Sequence, residues 1–257
     1  MSATGSIEAL IRRDRAIVGS TLVAITGLSW AYLFHLTSSM NPAMPAMDAM
    51  IASWSTADAL LMVVMWAVMM TGMMIPSAAP MILLYGLVIR KQARRGIVFA
   101  PTGAFAGGYL IAWAGFSAVA TGPQWGLEQT GLMTSMISAA APWMAGAILI
   151  AAGIYQWTPL KGACLTHCRN PMEFLSRSWR PGIGGAVVMG MHHGLYCIGC
   201  CWALMLILFA GGVMNLLLVA GIAALVLIEK IAPAGRGTAY LTGGGAIVAG
   251  TAIILLA

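Results

Sequence analysis

The feature that most constrains this chain is a succession of apolar runs, each about as long as a membrane-spanning helix. Hydrophobic residues make up 60% of the 257 residues and charged residues only 8%, whereas a soluble domain usually has about 25% charged residues. A helix needs about 20 apolar residues to cross the hydrocarbon core of a bilayer. The sequence therefore predicts an integral membrane protein, and its net charge of +6 does not indicate nucleic acid as a partner.

Seven such runs predict an all-α, polytopic helical bundle in the membrane. They cover residues 16–36, 57–88, 98–120, 137–155, 182–210, 214–231 and 238–256. Residues 1–15 are polar and are interpreted as a cytoplasmic N-terminal segment, followed by a single transmembrane domain over residues 16–257. The N-terminal segment lacks the small-residue cleavage site of a signal peptide, so we expect the first run to stay as a helix.

The positions of the basic residues predict the orientation of this bundle, because Lys and Arg accumulate in cytoplasmic loops. All 13 lie before the first run, between the second and third, between the fourth and fifth, or around the end of the sixth: Arg12, Arg13, Arg15, Arg90, Lys91, Arg94, Arg95, Lys161, Arg169, Arg177, Arg180, Lys230 and Arg236. The other connections have none. We expect a cytoplasmic N-terminus and a periplasmic C-terminus in the inner membrane of a bacterium.

The fifth run contains side chains that suit a soft metal ion, recurring at helical spacing: Met189, His193, Cys197 and Cys200, with Cys201 beside them. Residues three or four apart share one face of a helix, and His192 falls on a neighbouring face. Thiols and thioethers favour Cu(I). Two alternatives stay open, because buried cysteines also serve as small packing residues and two thiols can form a redox pair.

Methionines form a similar stripe in the second run, at Met62, Met65, Met69 and Met73. In an antiparallel arrangement Met62 to Met69 would lie at the depth of Cys201 to Cys197, and Met73 would approach His193. Such a stripe suits a shared Cu(I) site or, alternatively, an adaptable packing face.

Four more methionines, Met40, Met44, Met47 and Met50, lie in the connection between the first two runs. This connection is on the side without Lys or Arg. It is interpreted as a loop that collects Cu(I) or Ag(I), with a short interfacial helix as the alternative.

A fourth candidate site lies in the connection between the fourth and fifth runs. Cys164, His167 and Cys168 share one helical turn and suit a soft metal or zinc, with one coordination position open. Basic neighbours would lower the pKa of these thiols, so a redox pair is an alternative. We expect this site to be a separate cytoplasmic donor or acceptor of the ion. At the end of the sixth run, the consecutive residues Glu229 and Lys230 are interpreted as an ion pair at the membrane interface.

Three stretches, residues 66–81, 159–169 and 193–205, resemble a bacterial family of uncharacterised proteins described as predicted metal-binding integral membrane proteins. The resemblance extends over most of the chain, from the second to the sixth run, and it implies a metal-binding membrane protein.

These patterns together predict a membrane protein that binds a soft metal, most simply Cu(I). It would transport the ion or deliver it to another membrane protein, so its partners would be the lipid bilayer and a protein that receives or donates copper. An oligomer is compatible with the sequence. The proposed route runs along the methionines to the residues of the fifth run. Two alternatives remain: a membrane thiol redox enzyme, and a structural or assembly subunit without bound metal.

Overall fold

The structure is a computed structural model that describes residues 3–39, 55–93, 101–129, 141–233 and 235–256. These residues form nine helices and contain no strand. The helices are α1 Ala3–Ser39, α2 Thr56–Ala93, α3 Thr102–Gln129, α4 Pro142–Gln156, α5 Pro159–Arg169, α6 Pro171–Ser178, α7 Gly182–Gly211, α8 Leu216–Ile231 and α9 Gly235–Leu256. The methionine-rich connection with Met40, Met44, Met47 and Met50 lies outside the described residues.

Each of the seven predicted runs overlaps one helix, and the all-α fold is confirmed for the described residues. Five helices, α1, α2, α3, α7 and α9, contain a stretch long and apolar enough to cross a membrane. The other two, α4 and α8, have 15 and 16 residues, which is fewer than the roughly 20 that a full span needs. A helical membrane bundle therefore fits the structure, while the seven-span topology and its orientation stay predictions.

The connection between the fourth and fifth runs folds into two short helices for local reasons. The Thr158 hydroxyl accepts a hydrogen bond from the backbone N–H of Lys161, at 3.3 Å, and so caps the start of α5. Pro159 and Pro171 occupy the first positions of α5 and α6, where the missing N–H of proline costs nothing. This connection is therefore a compact helical segment that can pack against the bundle.

Glycines allow the closest helix contacts in the bundle. A Cβ added to Gly108 of α3 would lie 2.0 Å from the Val187 carbonyl oxygen, and one added to Gly190 of α7 would lie 2.0 Å from that of Phe105. Small residues let membrane helices approach until their backbones touch. The resulting contact between α3 and α7 fixes the helix that carries most of the predicted metal ligands.

A buried polar network joins α4, α5 and α8. The ammonium of Lys161 lies 2.6 Å from a Glu229 carboxylate oxygen, and the Gln156 side-chain amide donates to the other oxygen at 3.0 Å. The predicted interfacial pair of Glu229 and Lys230 is therefore wrong: Glu229 pairs with Lys161, and Lys230 points elsewhere. Since Lys161 is 1% exposed and Lys230 8%, these two lysines are interior groups and not loop charges.

Candidate metal centre

All five cysteines lie on two helices that touch, because α5 packs against the middle of α7. Gly199 provides the space, since a Cβ at this position would lie 2.7 Å from the Cys164 sulfur. One turn along α5, the Cys168 thiol shares a hydrogen bond with the Cys200 thiol. The two sites that the sequence placed apart thus form one group, called the thiol cluster below: Cys164, Cys168, Cys197, Cys200 and Cys201.

The three thiols contributed by α7 are shielded from solvent, with exposures of 0 to 1%. The Cys200 and Cys201 thiols both donate to the backbone carbonyl oxygen of Cys197, at 3.1 and 3.0 Å. These bonds satisfy the thiols in their protonated form. They also point both sulfur atoms back along the helix that carries them.

Cys197 is the point where three other helices meet α7. Its sulfur lies 2.8 Å from the Lys230 ammonium of α8 and 3.1 Å from the Tyr109 hydroxyl of α3. Lys230 also donates to the Ser77 hydroxyl of α2, at 2.9 Å. A cation and a phenol therefore contact one buried sulfur, and the cation connects it to the Ser77 hydroxyl.

None of Lys230, Tyr109 and Ser77 was predicted as a site residue. The usable signal was Lys230 itself, since a lysine in the last turn of a long apolar run can point into the bundle instead of into a loop.

His193 is the inward-facing histidine of α7, as helical periodicity predicts. It is 2% exposed, whereas His192 is exposed. The rings of Phe105, Tyr109 and Phe174 surround it, with centroids 6.1, 5.8 and 5.4 Å from that of the imidazole. Its Nδ1 has no hydrogen-bond partner among the described residues, and such orphaned buried nitrogens are uncommon.

The methionine stripe of α2, from Met62 to Met73, is buried in the same core as the thiol cluster. Its depth differs from the prediction. The Trp66 ring lies 5.4 Å from that of Phe209, and Ser77 is linked through Lys230 to Cys197. The stripe therefore runs from the level of the thiol cluster towards the Gly211 end of α7, and the approach of Met73 to His193 stays a prediction.

Met189 is 1% exposed and lies on the other side of His193 from the thiol cluster. Its sulfur accepts a hydrogen bond from the backbone N–H of Arg180, at 3.2 Å. The interaction holds the start of α7 against the connection that precedes it.

The side chains of His167 and Cys168, which were predicted to bind one metal ion from α5, point in different directions. The His167 ring is exposed and stacks on Tyr196, with centroids 4.3 Å apart, and its Nδ1 lies 2.9 Å from the Ala163 carbonyl oxygen. Cys168 turns instead towards Cys200.

The two thiols of α5 also differ from expectation in their acidity. Burial raises the pKa of Cys164 above its ordinary value. The hydrogen bond with Cys200, reinforced by burial, holds the pKa of Cys168 well above its ordinary value. The expectation that basic neighbours lower both pKa values is wrong, because burial and the hydrogen bond with Cys200 outweigh their effect, and the charge of Lys161 is balanced by Glu229.

Within the described part of the chain, no three His, Cys, Asp or Glu side chains are arranged as a finished metal site. The geometry gives the reason. The Cys200 and Cys201 thiols are turned to a carbonyl, and the Cys197 sulfur is occupied by Lys230. Side-chain rotation would be needed before several sulfur atoms could face one ion.

A family model described as PpoB2, copper chaperone, matches residues 63–253. The match extends from the first turns of α2 into the last turns of α9 and includes the whole thiol cluster. No curated protein and no solved structure matches the chain.

Proposed function

Because this chain belongs to the PpoB2 copper chaperone family, we propose that it is a membrane protein that binds Cu(I) at the thiol cluster and passes it to a partner protein. The observation that carries the proposal is the docking of α5 on α7, which brings Cys168 and Cys200 into contact. Cu(I) is a soft ion that favours thiolate ligands. Two helices that each contribute thiols provide a site that opens when one helix shifts.

The ligands that we assign first are Cys168 and Cys200, one from each helix, with Cys197 and Cys201 one turn away or less. His193 lies one turn from Cys197 and touches the same tyrosine, so its free Nδ1 is an additional nitrogen ligand. Zinc at Cys164, His167 and Cys168 is less well supported, because His167 is turned to Tyr196.

Metal binding would require a defined rearrangement. A thiol that ligates a metal gives up its proton, so Cys200 and Cys201 would lose their hydrogen bonds to the Cys197 carbonyl and become free to rotate. A Cu(I) ion between two thiolates carries a net negative charge. A buried charge needs a partner of opposite sign, and Lys230, whose ammonium already lies at Cys197, supplies it.

Delivery of the ion would proceed by exchange between soft ligands of increasing strength. Thioethers are neutral and bind more weakly than thiolates, so Met62, Met65, Met69 and Met73 would pass Cu(I) along α2 towards the thiol cluster. The methionine-rich connection before α2 would collect it on the periplasmic side, in the bacterial inner-membrane orientation that the basic residues predict.

The test is a Cu(I) titration of the purified full-length protein in detergent under reducing, anaerobic conditions, against a chromogenic Cu(I) chelator. We expect one Cu(I) per chain, and Cys168→Ser and Cys200→Ser should each weaken binding by at least about tenfold. His167→Ala is the matched control and should bind as the wild type does. Absence of stoichiometric copper would overturn the proposal, and reversible thiol oxidation without metal would instead favour a redox enzyme.

A further inference from the structure

A groove runs between α5 and α9 on the outside of the bundle, away from the thiol cluster. It consists of two cavities of about 170 and 190 Å³ that share Leu165 and Arg236 as lining residues. Trp157 and Tyr240 border the first cavity, and Arg169 borders the second. The groove is thus one continuous surface with Arg236 at its centre.

The groove carries uncompensated positive charge. Its basic lining residues are Lys161, Arg169 and Arg236, and no Asp or Glu among the described residues lines either cavity. The charge of Lys161 is balanced by Glu229. The Arg169 guanidinium donates to the carbonyl oxygens of Glu229, Ala232 and Pro233, which are neutral groups.

Arg236 makes the charge accessible. It is exposed and forms no hydrogen bond or ion pair with any residue that the structure describes. Two guanidinium charges therefore face this surface without a carboxylate from the part of the chain that the structure describes, and an anion would complement them.

The rim of the groove has the character of a membrane interface. Trp157 and Tyr240 are 47% and 52% exposed, and the Trp157 indole N–H donates to the Tyr240 carbonyl oxygen at 3.0 Å. Tryptophan and tyrosine concentrate where the hydrocarbon meets the headgroups. Next to them Leu160 and Leu241 are 61% and 79% exposed, which suits contact with acyl chains.

We propose that this groove binds the headgroup of an anionic phospholipid. The phosphodiester lies at the Arg236 guanidinium, close to that of Arg169, and the acyl chains follow the exposed apolar face of α9 beside Leu241. Basic pockets between membrane helices are a recognised setting for such lipids. The bound lipid would join α5, which carries Cys164 and Cys168, to α9, and the proposal does not depend on copper binding.

The experiment is native mass spectrometry of the purified full-length protein in detergent, titrated with phosphatidylglycerol or with phosphatidylcholine of the same acyl chains. We expect phosphatidylglycerol to bind with at least about fivefold higher affinity than phosphatidylcholine, which is the effect of roughly one basic contact. Arg236→Gln should lower that preference about fivefold. The matched control is Arg177→Gln, since Arg177 is an exposed arginine paired with Glu173 on α6.

Three results would overturn the proposal. Equal retention of the two lipids by the wild type would exclude recognition of the anionic headgroup, and this comparison does not depend on how any variant folds. An equal loss for Arg236→Gln and Arg177→Gln would exclude this groove as the site. Complete displacement of phosphatidylglycerol by inorganic phosphate would indicate a site for the free anion instead of the lipid.

Discussion

The ammonium nitrogen of Lys230 lies 2.8 Å from the sulfur of Cys197 in the interior of the bundle. Lys230 is 8% exposed and Cys197 is fully buried. An ammonium in such a place is unfavourable unless a partner compensates its charge. Cys197 and Lys230 therefore form a buried pair that joins α7 to the end of α8, and Ser77 extends the contact to α2.

Removing one member of this pair should destabilise the protein more than removing both. In Cys197→Ala the buried ammonium loses the sulfur as a hydrogen-bond partner, which costs about 1–3 kcal/mol. The double variant Cys197→Ala, Lys230→Met should recover much of that loss, because an apolar pair of similar volume is often tolerated. A double-mutant cycle on the free energy of unfolding in detergent measures the coupling, and additive effects would contradict the pairing.

The contact between α3 and α7 should be sensitive to single methyl groups on one face of α3 only. In Gly108→Ala the new Cβ meets the Val187 backbone, which cannot rotate away, and overpacking of this kind costs about 1–3 kcal/mol. The adjacent Gly107 has nothing within 4 Å of such a Cβ, so Gly107→Ala should be neutral or slightly stabilising. Thermal unfolding of the two variants in detergent tests the difference, and equal melting temperatures would contradict it.

The helices could be predicted from the sequence because hydropathy is a local property. The docking of α5 on α7 could not, since it depends on a contact between Cys164 and Gly199 that periodicity does not report. The inward turn of Lys161 has the same origin. Its partner Glu229 lies far along the chain. A sequence-based count of loop charges therefore includes Lys161 as a surface cation, although it belongs to a buried ion pair.

The ligand stripe of α7 was predictable for the same local reason. Helical spacing separates His193 from His192, and the structure buries the first and exposes the second. The groups around Cys197 were not predictable, because Tyr109 and Ser77 come from other helices and look like ordinary membrane residues in the sequence. The depth of the methionine stripe also required the structure, since the register between α2 and α7 is set by contacts such as that of Trp66 with Phe209.

The thiols of α5 should react slowly with alkylating reagents at neutral pH. The thiolate is the reactive form, and the pKa values of Cys164 and Cys168 are raised. Their alkylation by iodoacetamide should therefore increase mainly at a pH above the ordinary thiol value of about 8.5. Mass spectrometry of the two peptides across this pH range gives the profile, with the unfolded chain as control. A midpoint below that of the unfolded chain would instead support the redox alternative.

Replacing His193 should separate a role in metal binding from a role in packing. His193→Phe removes the nitrogen that lacks a hydrogen-bond partner and places a ring among Phe105, Tyr109 and Phe174. Because a buried unsatisfied group is costly, we expect the stability of the metal-free protein to stay the same or rise. If Nδ1 binds Cu(I), affinity for the ion should nevertheless fall, by about tenfold or more. His192→Phe, at an exposed position, should change neither quantity. Chelator competition and thermal unfolding, measured on the same preparations, give both values. An unchanged copper affinity in His193→Phe would exclude His193 as a ligand and leave it as a packing residue among the three aromatic rings.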